Sequence, residues 1–349
     1  GQLGQGNNET IGDDELPSVL TDIDLGAPAV QLTVGTEHNC VLLANGAVRC
    51  WGSGNNGRLG YGNTDDIGET GPPALAGDVP LGGTAVKIAA GPGHTCALLD
   101  TGAVRCWGWN YYGQLGYGHT DAIGDNETPA DAGDVPIGGT AVDVAAAGAR
   151  TCVLLSSGGM RCWGYNNGQL GYGDTEHRGD NETPDTLGLV PIGGTVTQLA
   201  LGNQHSCALM ANNTVRCWGY NHNAQLGIGS YERIGDNEPA SAGGELALGG
   251  PAVQVVTGTH HSCALLADST VRCWGWNEYG QLGYGHTSDI GGTELPVSAG
   301  PVPLGGPVYR LGQGGGIHLC AFMDTGALRC WGRNNMGQLG HGNTGAVGN

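Results

Sequence analysis

The cysteines are the residues whose type and spacing most directly imply chemistry in this chain. All twelve fall into six pairs, and the two members of each pair stand ten positions apart. Structural zinc sites need several convergent ligands, whereas each isolated pair offers only two. Free buried thiols would not need to occur as pairs at a constant spacing. Disulfides are therefore favoured over zinc ligation and over free thiols. The pairs are Cys40 with Cys50, Cys96 with Cys106, Cys152 with Cys162, Cys207 with Cys217, Cys263 with Cys273, and Cys320 with Cys330.

The pair Cys96 and Cys106 can be placed in a β-hairpin by counting outward from its midpoint. The turn is then residues 100–102, Asp-Thr-Gly, with Gly at the position that needs a left-handed backbone. Leu99 and Ala103 close this turn as a hydrogen-bonded pair, and bonded and non-bonded pairs alternate from there. The count makes the two cysteines a non-bonded pair, whose Cα atoms lie about 4.5 Å apart. A disulfide can span that distance.

The turn glycine is replaced in two of the copies. The fourth copy has Asn213 and the fifth has Ser269 at this position. Asn tolerates a left-handed backbone better than Ser does. The hairpin is therefore expected in every copy, with its least favourable turn residue at Ser269.

Histidine, arginine and tryptophan also recur at fixed distances from the cysteines. A ring of histidines could bind a metal, but recurrence in every repeat favours structural hydrogen bonds for His and Arg. For Trp it favours packing between repeats. The histidines stand two residues before the first cysteine, with Arg150 in the third copy: His38, His94, His205, His261 and His318. The residues flanking the second cysteine are Arg49, Arg105, Arg161, Arg216, Arg272 and Arg329, and Trp51, Trp107, Trp163, Trp218, Trp274 and Trp331.

Acidic loops occupy equivalent positions in several copies. Oxygen-rich loops can hold Ca²⁺, but none of these has the alternating acidic spacing of an EF-hand. Hydrogen bonds from the side chains to their own loop backbone are favoured instead. The sequence therefore predicts no cofactor, with calcium as the alternative. The loops are Asp13-Asp14-Glu15, Asp125-Asn126-Glu127, Asp180-Asn181-Glu182 and Asp236-Asn237-Glu238, with a weaker copy at Gly292-Thr293-Glu294.

The segment after each Cys-Trp-Gly differs most between copies, and several copies carry aromatic residues there. Aromatic side chains with Asn in loops are typical of binding surfaces. These residues are predicted to contact a protein or glycan partner; the alternative is that the rings pack on the next repeat. They are Trp109, Tyr111, Tyr112, Tyr165, Tyr220, Trp276 and Tyr279. No catalytic motif of a known class is present, so an enzyme is not expected.

These positions are set by an internal repeat of about 56 residues. Gly-Gln-Leu-Gly or a near copy begins at residues 1, 57, 113, 168, 224, 280 and 337, which gives six complete copies and a partial seventh at 337–349. Alternating residues such as 85–89 indicate a half-buried strand. Each copy reads as three clear short strands and one weaker strand. Radially repeated, such units predict an all-β protein, a β-propeller of four-stranded blades in a single domain over 1–349.

The repeated string Cys-x-Leu-Leu-x-x-Gly-x-Val-x-Cys-Trp-Gly-x-Asn-x-x-Gly-Gln-Leu-Gly-x-Gly resembles the regulator-of-chromosome-condensation repeat in its cysteine-bearing bacterial version. The resemblance covers essentially all 349 residues. It implies a propeller, usually of seven blades. Family functions include guanine-nucleotide exchange, ultraviolet reception and β-lactamase inhibition, so the fold alone does not fix the function. The Trp-Arg-His motif of the ultraviolet receptor is absent, which disfavours photoreception.

The repeat count departs from that pattern. Six copies predict six blades, or seven if a repeat is missing from this chain. Residues 337–349 duplicate 1–13, and the two segments would compete for one position in a closed six-bladed ring. Either the chain is a fragment of a longer repeat protein, or one end is free to engage a neighbouring molecule, which includes self-association.

Composition and charge narrow the partners. The chain has 69 Gly and 16 Pro among 349 residues, which suits a turn-rich protein and excludes long helices. Thirteen basic against 32 acidic residues give a net charge of −19, with Lys87 the single lysine. That charge repels phosphate backbones and anionic lipid, so neither nucleic acid binding nor membrane insertion is expected.

Together these features predict an extracellular, cell-surface or periplasmic propeller that acts as a binding or structural scaffold. The compartment follows from the disulfides, which persist in oxidising surroundings. The alternative function is inhibition of a secreted enzyme such as a β-lactamase, and guanine-nucleotide exchange is less favoured. Glycosylation is left open at the sequons of Asn8, Asn126, Asn181 and Asn212.

Overall fold

The computed structural model describes residues 1–9, 11, 16–312 and 316–349. Within these ranges the chain is all-β, as the repeat predicts, and its strands form six three-stranded antiparallel sheets. Each sheet is called a blade and is numbered in chain order. The acidic triplet 13–15 lies outside the described residues.

The blades use consecutive strands, and short helical turns occur only in the connections. The strands are β1 Ala29–Val34, β2 His38–Leu43 and β3 Val48–Gly52 in blade 1; β4 Ala85–Ala90, β5 His94–Leu99 and β6 Val104–Gly108 in blade 2; β7 Ala141–Ala147, β8 Arg150–Leu155 and β9 Met160–Gly164 in blade 3; β10 Val196–Leu201, β11 His205–Met210 and β12 Val215–Gly219 in blade 4; β13 Ala252–Thr257, β14 His261–Leu266 and β15 Val271–Gly275 in blade 5; and β16 Val308–Leu311, β17 His318–Met323 and β18 Leu328–Gly332 in blade 6. The helical turns are Pro17–Val19, Asn55–Gly57, Pro73–Ala76, Pro129–Ala132, Pro184–Thr186, Ala240–Gly243 and Pro296–Ala299.

The fourth strand of each blade is weaker than the sequence predicts. Where a strand was expected before the Gly-Gly turn, a single backbone bond is made, for example from Val135 N to Val104 O at 2.8 Å. The outer edge of the blade is instead paired by one isolated bridge, Gly108 with Ile123 in blade 2. Gly and Pro in these connections lack either a side chain to pack or an N–H to donate, which limits ladder formation.

The described chain divides into two compact units. Unit 1 comprises 1–9, 20–166 and 176–189 and contains blades 1–3, while unit 2 contains blades 4–6. Unit 1 has its own apolar core, in which Ile88, Val144 and Trp163 are almost fully buried. The single domain over 1–349, and the number of blades in the complete protein, stay predictions.

All six cysteine pairs are disulfides in the positions that the hairpin count gives. In blade 2, Cys96 lies directly opposite Cys106, and Leu99 N donates to Ala103 O at 2.8 Å. Across the six bridges the Cα atoms are 4.0–4.1 Å apart, and none of the twelve cysteines is free. The prediction is thus confirmed in every blade. The bridges join Cys40 to Cys50, Cys96 to Cys106, Cys152 to Cys162, Cys207 to Cys217, Cys263 to Cys273, and Cys320 to Cys330.

The third residue of the hairpin turn adopts a left-handed backbone whether it is Gly, Asn or Ser. Gly102 has φ of 81°, Asn213 has 64° and Ser269 has 66°. A residue with a Cβ atom pays about 1–2 kcal/mol for this conformation. Ser269 therefore carries local backbone strain that the glycine copies avoid.

Within each unit, neighbouring blades are joined by the buried tryptophans. The Trp163 indole Nε1–H donates to Gln114 O at 3.0 Å, and Gln114 lies in the Gly-Gln-Leu-Gly loop that precedes blade 3. Trp274 Nε1 donates in the same way to Gln225 O at 3.0 Å. The tryptophans thus pack between repeats, as their regular spacing predicts.

A histidine of the preceding blade completes the joints between blades 1 and 2, blades 2 and 3, and blades 4 and 5. His94 Nε2 lies 3.0 Å from Thr151 Oγ1, and the Thr151 hydroxyl donates to Gln114 O at 2.8 Å. Because the hydroxyl proton is used there, the ring N–H of His94 must donate to the hydroxyl oxygen. His205, Ser262 and Gln225 repeat the arrangement in unit 2, with 2.8 Å from His205 Nε2 to Ser262 Oγ and 3.0 Å from Ser262 Oγ to Gln225 O.

The joint between blades 5 and 6 lacks this hydroxyl. Leu319 stands where blades 2, 3, 4 and 5 have Thr or Ser, and it is 2% exposed. Neither ring nitrogen of His261 has a hydrogen-bond partner in the described chain. Burial lowers the pKa of His261 to about 3, so its ring stays neutral.

Each Gly-Gln-Leu-Gly copy at a chain end is bonded within its own unit. In unit 1, Gly6 N donates to Gly68 O at 3.1 Å, and Trp51 Nε1 donates to Gln2 O at 2.8 Å. In unit 2, Gly332 N donates to Val347 O at 2.7 Å. Each copy packs on the blade next to it within its own unit.

We expect Ser269→Gly to raise the free energy of unfolding by about 1 kcal/mol, because glycine adopts the left-handed turn without the Cβ penalty. The matched control is Gly326→Ser, at φ of 82° with no atom within 4 Å of an added Cβ, which should lower stability by a similar amount. Urea unfolding with the disulfides intact measures both. Equal stabilities of Ser269→Gly and the unmodified chain would show that the turn is not strained.

We expect the protein to lose stability as the pH falls below about 6.5. Burial lowers the pKa of His38 to about 3 and of His94 to about 4, from the ordinary 6.5. Between pH 6.5 and 4 the unfolded chain therefore binds protons that the folded chain does not, at up to about 1.4 kcal/mol per pH unit for each histidine. Unfolding free energies from pH 7.5 to 4.5 test this. His94→Phe should make the slope shallower, and a flat profile from pH 6.5 to 5 would contradict the assignment.

Candidate functional site

In blades 2, 4, 5 and 6 the segment after Cys-Trp-Gly is held rigid by a buried asparagine. In blade 2, Asn110 Nδ2 donates to His119 O at 2.8 Å and to Asp121 O at 2.9 Å. Its Oδ1 accepts from Leu115 N at 2.9 Å. One side chain thus ties three points of the loop together. The same three bonds are made by Asn221, Asn277 and Asn334.

The glutamine of Gly-Gln-Leu-Gly holds the next part of the loop. Gln114 Oε1 accepts from Tyr112 N at 3.0 Å, and the Gln114 side chain is fully buried. The backbone is therefore fixed from both sides around Tyr111 and Tyr112. The side chains of Tyr111 and Tyr112 are not part of this hydrogen-bonded frame, and the residues at their positions differ between repeats.

Four of the seven aromatic residues proposed from the sequence gather in unit 1, together with a histidine. Trp109, Tyr111, Tyr112, Tyr165 and His177 are called the aromatic cluster. Tyr112 is at its centre, with ring centroids 5.6 Å from Trp109, 4.9 Å from Tyr111, 4.9 Å from Tyr165 and 5.1 Å from His177. Trp109 and Tyr111 are parallel within 10°, with centroids 6.4 Å apart.

The cluster combines packing between blades with an exposed ring. Tyr112 is half-buried, and its ring lies against Tyr165 of the next blade. Tyr111 is 67% exposed, more than most large apolar or aromatic side chains of this protein. Edge-to-face ring pairs contribute about 0.5–1.5 kcal/mol beyond burial. The inner rings therefore support an outer surface formed by Tyr111 and Trp109.

The other three proposed rings lie in unit 2 and in two places. Tyr220 lies beside His222, with centroids 4.5 Å apart, and the Arg233 guanidinium covers its ring at 4.8 Å. A shallow cavity of about 560 Å³ lies next to it and is lined by Tyr231, Arg233 and Glu238, among others.

Trp276 and Tyr279 form the second group. Their centroids are 5.4 Å apart, and His260 lies 5.8 Å from Trp276. Arg333 of blade 6 covers the Tyr279 ring at 5.3 Å. Both groups in unit 2 thus end in an arginine over a tyrosine, at distances typical of cation–π contacts.

Sequence reasoning missed the residues that complete these groups. His177 and Arg233 come twelve and thirteen residues after the rings they touch, in loops without a regular period. The one available signal is position: each directly precedes the residue that bridges back to the Cys-Trp-Gly glycine. His260 and Arg333 stand next to residues that carry the repeat pattern, His261 and the Cys-Trp-Gly of blade 6, and themselves follow no period.

In one of the acidic loops a side chain forms a hydrogen bond with the backbone of its own loop. Glu238 Oε1 accepts from Gly235 N at 3.2 Å, which is the kind of bond expected for these loops. Burial, with repulsion from Asp125, raises the pKa of Glu127. In the described ranges no three His, Cys, Asp or Glu side chains converge as metal ligands would. Calcium at these loops stays a prediction.

No helix in the described part of the chain has both the length and the apolarity that crossing a bilayer requires.

Comparison with known proteins identifies relatives across the whole chain. The RCC1-like domain family matches residues 1–347. The ultraviolet-B receptor UVR8 of Arabidopsis thaliana is 31% identical over 353 residues, which cover 98% of this chain and 72% of the receptor. The human E3 ubiquitin-protein ligase HERC2 is 29% identical over 83% of this chain, a stretch that makes up only 6% of the ligase.

The fold is also similar to solved structures. Yeast RCC1 (Prp20), solved with Kap60 bound to it, superposes with a TM-score of 0.72 and 21% identity, over 92% of this chain and 74% of that one. At this identity the likeness concerns the fold alone. The family match over residues 1–347, the identity with UVR8 and the repeated three-stranded sheets agree, and the chain belongs to the RCC1-like family of β-propellers.

Proposed function

We propose that this chain is an extracellular, cell-surface or periplasmic binding scaffold, and that its partner contacts the aromatic cluster of unit 1. The observation that carries the proposal is the cluster itself: five rings in mutual contact on a rigid loop frame, with Tyr111 67% exposed. Large aromatic side chains dominate interface energetics when a partner buries them. Their rigid support keeps the entropy lost on binding small.

The disulfides support the compartment. Each blade carries one bridge, every cysteine is used, and bridges of this kind persist outside the reducing cytosol. Each bridge closes a short local hairpin, so it stabilises one blade and does not link blades to one another. The scaffold is thus stabilised blade by blade.

The surface charge and the fold support a protein partner. The net charge of −19 disfavours nucleic acid and anionic lipid. A protein of similar fold, yeast RCC1, is solved with a protein, Kap60, bound to it. In this chain the aromatic cluster is the surface best suited to such a contact.

The test requires a variant that removes contact area without unfolding the scaffold. We expect Tyr112→Ala to lower the free energy of unfolding by about 1–3 kcal/mol, because it removes four ring contacts. Tyr111→Ala should change it by less than about 0.5 kcal/mol, since this ring is mostly in solvent. Urea unfolding of both variants checks the difference. A larger loss for Tyr111→Ala would make Tyr111 a packing residue and remove it from the proposed surface.

Partners are first identified by screening the unmodified chain on arrays of extracellular protein domains and of glycans. We expect Tyr111→Ala to weaken the binding of these partners at least tenfold or to abolish it. Tyr309→Ala is the matched control, because Tyr309 is 73% exposed on β16 and lies outside the cluster. The unmodified chain, Tyr111→Ala and Tyr309→Ala are probed in parallel at physiological salt. Partners that bind all three equally would place the binding surface elsewhere.

A further inference from the structure

Rings at equivalent positions of the repeat are covered by arginine in unit 2 and by another ring in unit 1. Tyr112 and Tyr279 both directly precede the Gly-Gln-Leu-Gly loop or its copy, and Tyr165 and Arg333 both directly follow Cys-Trp-Gly in the next blade. In unit 2 the Arg333 guanidinium covers Tyr279 at 5.3 Å. In unit 1 the same place beside Tyr112 is taken by Tyr165, at 4.9 Å.

At a second pair of equivalent positions, an arginine in unit 2 also corresponds to a ring in unit 1. Arg233 directly precedes Ile234, which bridges to Gly219, and it covers Tyr220 at 4.8 Å. His177 holds that position in blade 3 and lies 4.9 Å from Tyr165. Both guanidinium positions of unit 2 are thus occupied by rings in unit 1. In the described part of the chain, the ring-to-ring contacts of the aromatic cluster join its own members to one another.

Acidic residues stand on the loops next to the aromatic cluster. The backbone at Asp180 lies directly against Gly113, beside Tyr112, where an added Cβ would meet Asp180 N at 2.2 Å. The loop that carries His177 also carries Glu176 and Glu182. In the loop that Asn110 holds, the Asp121 side chain is 92% exposed.

Several basic side chains of unit 1 are already paired with acids of the same unit. Each pair neutralises one base with one acid, so these bases do not offset the charge of the acidic loops. Arg178 follows His177, and its backbone pairs with Gly164. The ion pairs are Arg49 with Asp78 at 2.8 Å, Arg58 with Glu37 at 2.9 Å, Arg105 with Asp134 at 2.8 Å, and Lys87 with Asp143.

From these observations we infer that the aromatic cluster binds the guanidinium group of an arginine presented by a basic protein partner. This inference rests on the proposed function and names the chemistry of its partner. The chain itself shows that rings at these loop positions accept guanidinium groups at 4.8–5.3 Å. The planar, weakly hydrated guanidinium stacks on Tyr and Trp faces and pairs with carboxylates, whereas an ammonium group is compact and strongly hydrated.

The test uses three peptides of four Gly-X repeats, acetylated and amidated, with X as arginine, citrulline or lysine. Citrulline has the shape of arginine without its charge. Isothermal titration at physiological salt should give the arginine peptide at least about tenfold tighter binding than the citrulline peptide, with the lysine peptide between them. The Trp109 indole ¹⁵N–¹H resonance, assigned with Trp109→Phe, should shift with the arginine peptide.

Two variants place the binding in the aromatic cluster. His177→Arg should weaken binding of the arginine peptide about tenfold, because the chain's own guanidinium would then cover the cluster as Arg233 covers Tyr220. Thr101→Arg adds the same charge at an exposed turn of the β5–β6 hairpin and should change binding less than about twofold. Tyr111→Ala should also weaken binding, and Tyr309→Ala should not.

Failure of this inference can be told apart from failure of the proposed function. Equal affinity for the arginine and citrulline peptides would overturn the inference. So would arginine binding that is insensitive to Tyr111→Ala and His177→Arg, since charge attraction elsewhere would then explain it. A third outcome is that an array partner no longer binds Tyr111→Ala, yet the arginine peptide does not displace that partner from the unmodified chain. The cluster would then bind a partner of other chemistry, and the inference would be wrong. If no array partner depends on Tyr111, the proposed function itself fails.

Discussion

The hydrogen bond from a buried tryptophan indole to the carbonyl of the preceding Gly-Gln-Leu-Gly loop is the interaction on which the rest of each unit depends. A single carbonyl, Gln114 O, accepts from Trp163 Nε1 and from the Thr151 hydroxyl. Three-stranded sheets are too small to bury both faces alone, so they must be joined to neighbours. Because the loop carbonyl is held between two side chains of the next blade, the loop backbone is fixed as well. The positions of the side chains on that loop therefore depend on this joint.

The aromatic cluster is a consequence of that arrangement. Asn110 and Gln114 use their side chains to satisfy the loop backbone, so the loop frame does not depend on the side chains of Tyr111 and Tyr112, although Tyr112 packs against Tyr165 of the next blade. Repeats can then differ at these positions without loss of the fold. In unit 1 rings pack on rings at these loops, whereas in unit 2 Arg233 and Arg333 cover Tyr220 and Tyr279, so two different surfaces arise from one frame. The positions at which the repeats differ in sequence are therefore the ones expected to determine what this protein binds.

The sequence predicted local geometry well, and long-range assembly less well. The bridge between Cys96 and Cys106 could be counted because side chains alternate with a period of two along a hairpin. The strain at Ser269 followed from the same count. The gathering of His177 or Arg233 beside particular rings could not be counted, because irregular loops have no period. The fourth strand was overestimated, since apolar residues there pack into the core while forming one backbone bond rather than a ladder.

Leu319 has a consequence for how the blades separate. Stability in a repeat protein is close to a sum of the stability of each repeat and the coupling to its neighbours. The joint between blades 5 and 6 buries His261 with both ring nitrogens unpaired in the described chain, so its coupling is lower than that of the joint that contains His205 and Ser262. Under denaturant or mechanical load, unit 2 would begin to come apart there. Blade 6 would detach as one piece, with its hairpin still closed by the bridge from Cys320 to Cys330, and the remaining blades would stay folded for longer.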